Sequence, residues 1–311
     1  MIVHLQLTIN LKIMELDMFV GIDITRDRQK KTISLGSQQR YIESLAAKHV
    51  DTESIKEWKH QTPSGTSKEE AARFLKLGEA TSDAEKFSVI NKGYLIILGG
   101  LLWIAVMTCP DLMFHVSHLA RLMKNPSMQA YEALINCLLY AYGRRRLKLT
   151  YGGNGNWIPQ VWSDSSFGGA TVDPYGGGFI QWQNGAIAWF SRKLKFIPLS
   201  TCEAEIAALV SALKEAMFVL EILFDLGHEF DSVDGYTDSK SGYDTVMNPG
   251  VTKRTAHFER WLFWARELYL EKRLLLNHIR DEDMMADSLS KVTDRAKFLK
   301  CRAAQLNLNH G

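Results

Sequence analysis

Cysteine is scarce in this 311-residue sequence and badly placed for metal binding: Cys109, Cys137, Cys202 and Cys301 are scattered, with no C-x-x-C pair. A zinc site and a disulfide scaffold are both disfavoured, and a reduced intracellular compartment fits best. Net charge is nearly absent as well, at +2. A nucleic-acid surface must therefore be a local patch rather than a field over the whole molecule. The start, Met1-Ile2-Val3-His4-Leu5-Gln6, lacks a basic region followed by an apolar core, so no signal peptide is expected. There is no internal repeat and no low-complexity tract. Long hydrophobic runs are missing with one exception: Tyr94 to Pro110 is uncharged over 17 residues, the lower edge of a membrane span. Gly99-Gly100 in its middle, Pro110 at its end and amphipathic sequence beyond it favour a buried helix, and no membrane partner is expected.

What is present divides into two halves. Phe19 to Leu35 alternates apolar and polar on both sides of Arg28-Gln29-Lys30-Lys31, a hairpin signature. Ser37 is placed to cap a helix through about His49. From Asp51 to Ser82 the composition turns polar around Thr62-Pro63-Ser64-Gly65-Thr66, the best candidate for a linker. Ile90 to Tyr142 reads as helical, broken at Pro110 and Pro126. From Trp157 the pattern changes to strands. Ile158–Asp164, Gly177–Gln183 and Ala186–Ser191 read as three in succession, the last two joined by a turn at Asn184-Gly185. An amphipathic helix follows from Thr201 to Leu226, stopped by Gly227. A strand over Val233–Asp238, a helix over Thr255–Lys272, a strand over Leu274–Ile279 and a last helix opening at Asp283 complete the order. This βββ-α-β-α-β-α succession predicts an α/β fold, a mixed five-stranded sheet with flanking helices.

Carboxylates sit at the ends of these elements. Asp164 closes the strand Trp162-Ser163-Asp164-Ser165-Ser166-Phe167-Gly168-Gly169, Asp238 closes another, and Asp287 and a glutamate of the Thr201 helix lie near helix starts. Hard oxygen donors in such a set suit divalent cations that activate water against a phosphodiester. The helical wheel does not separate Glu203 from Glu205, because both flank the apolar stripe.

The motifs WSDSSFGG, GGGFIQWQNGAIAWFSRKLK, LSTCEAEIAAL, YTDSKSG, KRTAHFE and EDMMADSLSK, in that order from about Val161 to Lys291, resemble the ribonuclease H domain of copia-type LTR-retrotransposon Pol polyproteins. Upstream, FVGIDITRDRQKKTISLGSQQRYIESLAAKHV resembles the end of a reverse-transcriptase region. GLLWIAVMTCPDLMFHVSHLARLMKNPSMQAYEALINCLLYAYG resembles the helical thumb and connection after it. The resemblance implies a ribonuclease H-like fold preceded by a hairpin and a helical region. It implies four units: 1–90, the end of the reverse-transcriptase region and a linker; 91–153, thumb and connection; 156–295, the ribonuclease H-like domain; and 296–311, a C-terminal tail. It also implies Asp164, Glu205, Asp238 and Asp287 as catalytic metal ligands, the family pattern selecting Glu205 over Glu203. Two Mg2+ ions, with Mn2+ as an alternative, would serve hydrolysis of the RNA strand of an RNA–DNA hybrid, in company with the rest of a reverse transcriptase and with no small-molecule cofactor. Polymerase activity is not expected, since the paired-aspartate motif is absent and would lie before Met1. Compartment stays open between cytoplasm and nucleus.

Departures from the family are confined to positions beside the ligands. Ser166 and Phe167 replace an acid and a tryptophan, Asp173 to Gly178 replaces a K-S-T-S-G-Y lead, and Cys202 and Ile206 alter T-E-A-E-Y. The basic residues Arg144, Arg145, Arg146 and Lys148, read as a loop, and Arg192, Lys193 and Lys195 are candidates for hybrid phosphates. His257 and His278 are candidate accessories, His278 as a proton shuttle. The rival reading is a non-catalytic remnant that binds nucleic acid or a polymerase partner.

Overall fold

The computed structural model describes residues 16–57, 61–65, 67–153, 155–168, 172–248 and 259–308. The first part is a small sheet with a helical layer. Strands β1 (Met18–Phe19), β2 (Ile22–Asp27) and β3 (Thr32–Gly36) form antiparallel pairs, joined between β2 and β3 at the expected hairpin. Asp27 Oδ1 accepts from the Gln29 and Lys30 N–H groups, which fixes that turn. Helix α1 (Gln39–His49) starts on Gln38 rather than on a serine cap; the Ser37 hydroxyl instead donates to the Arg145 carbonyl.

The stretch expected as a linker is helical. α2 (Thr52–Glu57) and α3 (Lys68–Leu75) lie in it, and Ser67 and Glu70 close a capping box on α3. Phe74 and Leu77 are buried in the same core as the helices that follow. Its polar composition reflects one wet face, not the absence of structure. The long apolar run becomes α5 (Tyr94–Met107), which meets the preceding helix α4 (Asp83–Asn91) at a 57° bend. No single helix among the described residues is long and apolar enough to cross a membrane. Ile97, Leu101 and Ile104 are fully buried against α6 (Met113–Ala120) and α7 (Met128–Arg144), the last started by Ser127. Strand β4 (Lys148–Gly152) then returns to pair with β3.

The second sheet has the order β7-β6-β5-β8-β9. β5 (Gln160–Ser166), β6 (Tyr175–Trp182) and β7 (Gly185–Lys193) are antiparallel neighbours, while β8 (Val233–Thr237) lies parallel to β5 and β9 (Leu274–His278) parallel to β8. Numbered within the sheet the order is 3-2-1-4-5, the ribonuclease H-like arrangement that the motifs imply. Helix α8 (Thr201–Asp225) buries Ile206, Leu209 and Leu213 on one face of the sheet, with α9 (Lys240–Met247) and α10 (Glu259–Leu270) beside it. Gly227 terminates α8 with φ of 87° while His228 donates back to the Leu223 carbonyl.

Three boundaries differ from expectation. The β6–β7 turn is Gln183-Asn184, with φ of 51° and 67°, and Gly185 already lies in the strand opposite Trp182. A Cβ at Gly185 would stand 2.5 Å from the Thr150 carbonyl oxygen. The glycine therefore serves the close approach of β4 rather than the turn. The expected last helix is split into a 3₁₀ turn (Asp281–Asp283) and a short α11 (Asp287–Ser290). The expected tail contains helix α12 (Arg295–Leu306), which buries Phe298, Cys301 and Leu306.

The supposed loop patch at 144–148 is also corrected. Arg144 ends α7 and is buried at 4% exposure, its Nε 2.9 Å from Asp111 Oδ2. Tyr140 donates a short hydrogen bond to the same carboxylate. Arg144 is thus sealed from any nucleic acid. Replacing it by methionine leaves Asp111 buried without its cation and is expected to destabilise the fold by about 3–5 kcal/mol. Urea unfolding reads this; an unchanged midpoint would refute it.

Candidate metal centre

The central strands β5 and β8 run parallel, and their register sets Asp164 level with Asp238, the residue just past β8. Asp164 lies near the end of β5 at 1% exposure. Asp238 is half-buried and follows β8 directly. Asp287 opens α11, which packs on β5 and β6. One carboxylate oxygen from each of Asp164, Asp238 and Asp287 lies within 4.8 Å of the others.

Glu205, on the second turn of α8, is not one of that trio but interacts electrostatically with Asp164 and Asp238. Its Oε1 accepts a 2.8 Å hydrogen bond from Ser165 Oγ, while its buried Oε2 has no hydrogen-bond partner among the described residues. Glu203, the alternative, accepts from the Leu199 N–H and closes the start of α8 together with Ser200. Asp164 is held in turn: Ser290 Oγ of α11 donates a short hydrogen bond to its Oδ2. A serine beside each of two acids orients them without supplying charge.

The electrostatics are those of acids crowded away from water. Burial pushes the Asp164 carboxyl up to about 7; Lys291 opposes the shift and Asp287 adds to it. Burial, then Asp164, raises Glu205 well above the usual carboxylate range, and burial raises Asp238 too. Buried carboxylates with an orphaned oxygen and only hard donors suit a divalent cation held by oxygen ligands.

A pH signature follows. Between roughly pH 4 and pH 7 the native state holds a proton on Asp164 that the unfolded chain has released, so this group's contribution falls as pH rises through that window. His115 and His118 act in the opposite sense, because burial pushes them down to about 3 and about 4. The clean reading is a difference: without metal, the stability of Asp164→Asn relative to the native chain should grow from about pH 4 to about pH 7 and then level off. A difference independent of pH in denaturant melts would refute the assignment. Metal affinity should climb over the same range, since the ligands must lose protons to bind.

The other candidates separate by place. Ser166, Tyr175 and Lys193 share one rung across β5, β6 and β7, so Arg192 and Lys193 lie at the Asp164 end of the sheet. Both are more than half exposed, with Glu215 and Asp173 as ion partners. Lys195, just beyond, is also exposed. Arg145 pairs with Glu43 and stacks on Tyr142. Arg146 and Lys148 are exposed, but β4 meets the large sheet at the β6–β7 turn, the end away from Asp164. His278 Nε2 lies 3.1 Å from the Asp238 carbonyl oxygen and therefore addresses the backbone beside the site, not its carboxylate. His257 lies outside the described residues.

Sequence reasoning missed two cations. Lys291 and Lys297 both contact Asp287, at 2.9 and 2.8 Å. Lys291 stands four residues after Asp287 inside a quoted motif and could have been found by that spacing. Lys297 comes from α12, a helix that was not foreseen.

No family model matches the chain. It is 29% identical over 288 residues, 91% of its length, to the retrovirus-related Pol polyprotein from transposon TNT 1-94 of Nicotiana tabacum. Identity to the retrovirus-related Pol polyprotein from transposon RE2 of Arabidopsis thaliana is 26% over 208 residues, 66% of the chain. The chain spans 21% of the first relative's length and 14% of the second's. Among solved structures, ribonuclease H1 from Halobacterium salinarum aligns at TM-score 0.34 and 21% identity, covering 42% of this chain and 93% of that one. A foamy viral protease–reverse transcriptase aligns at TM-score 0.41 and 15% identity, covering 65% of this chain and 35% of that one. The chain is homologous to the Pol polyproteins of copia-type retrotransposons, consistent with their C-terminal reverse-transcriptase and ribonuclease H region.

Proposed function

We propose that this chain is a ribonuclease H-type endonuclease that hydrolyses the RNA strand of RNA–DNA hybrids with two Mg2+ ions, as part of a reverse transcriptase. The observation that carries the reading is the convergence of Asp164, Asp238 and Asp287 at the carboxyl ends of β5 and β8, with the orphaned Glu205 oxygen beside them. Ions held there would activate a water and stabilise the leaving oxygen of a phosphodiester.

The chain's own residues do the rest. Asp164 and Asp287, the two buried ligands, fix the ion positions against the sheet. Glu205, held by Ser165, completes the ligand set. Asp238, half-buried, is the ligand nearest solvent and is suited to orient the attacking water. Arg192 and Lys193, on the same end of the sheet, take backbone phosphates. Selectivity for the hybrid rests on duplex shape and the 2′-hydroxyl rather than on base sequence.

The test is incubation of a strand-labelled RNA–DNA hybrid with the protein, with and without Mg2+ and with Mn2+. Metal-dependent cutting of the RNA strand alone supports the reading. Binding of hybrid that ignores metal, without turnover, would replace it with a non-catalytic module.

A further inference from the structure

Lys291 turns back into the carboxylate cluster. Its Nζ lies 2.9 Å from Asp287 Oδ1 and 3.3 Å from Asp164 Oδ2. Burial disfavours the ammonium, yet Asp164 and Asp287 outweigh that and hold it firmly charged. Lys297 reaches Asp287 from the other side, at Oδ2, and is anchored by a second hydrogen bond to the Asp281 carbonyl. The two cations differ in freedom. The Lys291 side chain is 35% exposed and has a route to solvent, whereas Lys297 is 14% exposed and tethered at both contacts.

The ammonium of Lys291 therefore rests on the carboxylates of two of the three converging aspartates, the groups that a divalent ion would coordinate. An ammonium seated there opposes the entry of a divalent ion, because it neutralises the carboxylates the ion needs and like charges repel in a buried site. Lys297 touches only one of the three aspartates, at Asp287 Oδ2, and nothing requires it to leave.

We propose that Lys291 is a built-in competitor for the metal position, a positioning residue that holds the carboxylates together and yields to a divalent ion by swinging toward solvent. This rests on the reading of Asp164, Asp238 and Asp287 as metal ligands. Lys291 then sets the affinity for metal, and Lys297 does not. The arrangement keeps the buried acids from repelling one another when no metal is bound, and it makes metal entry an exchange of cations rather than an addition of charge.

The experiment is a titration of the metal-free full chain with Mn2+ at about pH 8, following loss of the free-ion paramagnetic resonance signal, for the native protein, Lys291→Gln and Lys297→Gln. Lys291→Gln is expected to bind Mn2+ about tenfold more tightly, and Lys297→Gln to change affinity by less than about threefold. Equal tightening in both variants would mean general charge screening and overturn the proposal, as would unchanged or weaker binding by Lys291→Gln. Failure of the native chain and Lys291→Gln alike to bind Mn2+ would overturn the metal-ligand reading as well. If Lys291→Gln does not fold without metal, Lys291→Arg takes its place. A guanidinium that forks onto two carboxylates should compete better and weaken Mn2+ binding by about tenfold, and no weakening overturns the proposal.

Discussion

Asparagine in place of Asp164 is expected to lower the rate of hybrid cleavage on the order of a thousandfold or more, with the fold intact. Asp164 is the most enclosed of the acids, contacted by Ser290 and Lys291 from the one element that also carries Asp287. The amide keeps the shape of the side chain and can still accept from Ser290 Oγ. It removes the negative charge that an ion needs, and a neutral oxygen is a far weaker ligand for a hard cation. Without metal the variant should be as stable as the native chain at neutral pH or more so, because a carboxyl whose pKa is pushed up to about 7 is an unfavourable place to keep an anion. Cleavage rate and thermal melting, measured together, separate the two effects. Retained cleavage would remove Asp164 from the site, and lost cleavage with a collapsed melting transition would leave its role undecided between ligand and scaffold; a hybrid-binding assay on the folded fraction then distinguishes them.

Alanine at Gly177 is expected to damage both stability and activity although it adds a single methyl group. Gly177 lies on β6 directly across from Asp164, under Leu289 of α11. An added Cβ would sit 2.4 Å from the backbone carbon and oxygen of Leu289, and backbone in a short helix cannot swing aside as a side chain can. Helix α11 must lift, and it carries Asp287, Ser290 and the approach of Lys291 to Asp164. Overpacking of this kind costs about 1–3 kcal/mol. A shift of about 1 Å in a catalytic ligand reduces rate by roughly a hundredfold. Gly78→Ala is the control, since a Cβ there meets nothing within 4 Å. Equal urea midpoints and equal cleavage rates for the two variants would show that α11 is not fixed by this contact.

The departure of Asp173 to Gly178 from the family's lead into this strand gains a physical meaning here. Gly176, Gly177 and Gly178 all have neighbours closer than a Cβ would comfortably allow: Leu194 just past β7, the Leu289 backbone of α11, and the Trp162 carbonyl of β5 with Ala212 of α8. The glycines are where helices on both faces press closest to β6. A sequence shows three glycines in a row as a weak strand; only the packing shows why the strand needs them.

Much of the nuclease half was legible because its signals are local. Alternation marked β5 to β7, 3–4 spacing marked α8, and Gly227 marked its end, since each of these depends on neighbours within a few residues. Placing Asp164, Asp238 and Asp287 at element ends was local as well, and the strand order then brought them within reach of one another. Distinguishing Glu205 from Glu203 was not local. Both lie on one helix start, and the difference is that Ser165 of β5 stands opposite one while the Leu199 N–H takes the other.

The misreadings share one cause. Arg144 in a basic run looks solvated until Asp111, far back in the chain, is found beneath it. Asn184-Gly185 is a strong turn signal, but the crossing of β4 claims the glycine and moves the turn back by one residue. Phe74 and Leu77 lay in what read as a polar linker, and Phe298 and Cys301 in what read as a tail, yet all four are core. By itself the sequence determined which faces are apolar, where elements break and which acids stand at strand and helix ends, because those follow from spacing along the chain. The tertiary structure alone decided which charge meets which, and so the sealing of Arg144, the orphaned oxygen of Glu205 and the presence of Lys291 among the aspartates, because a pair's energy depends on the partner and its burial, and neither is written in the residues beside it.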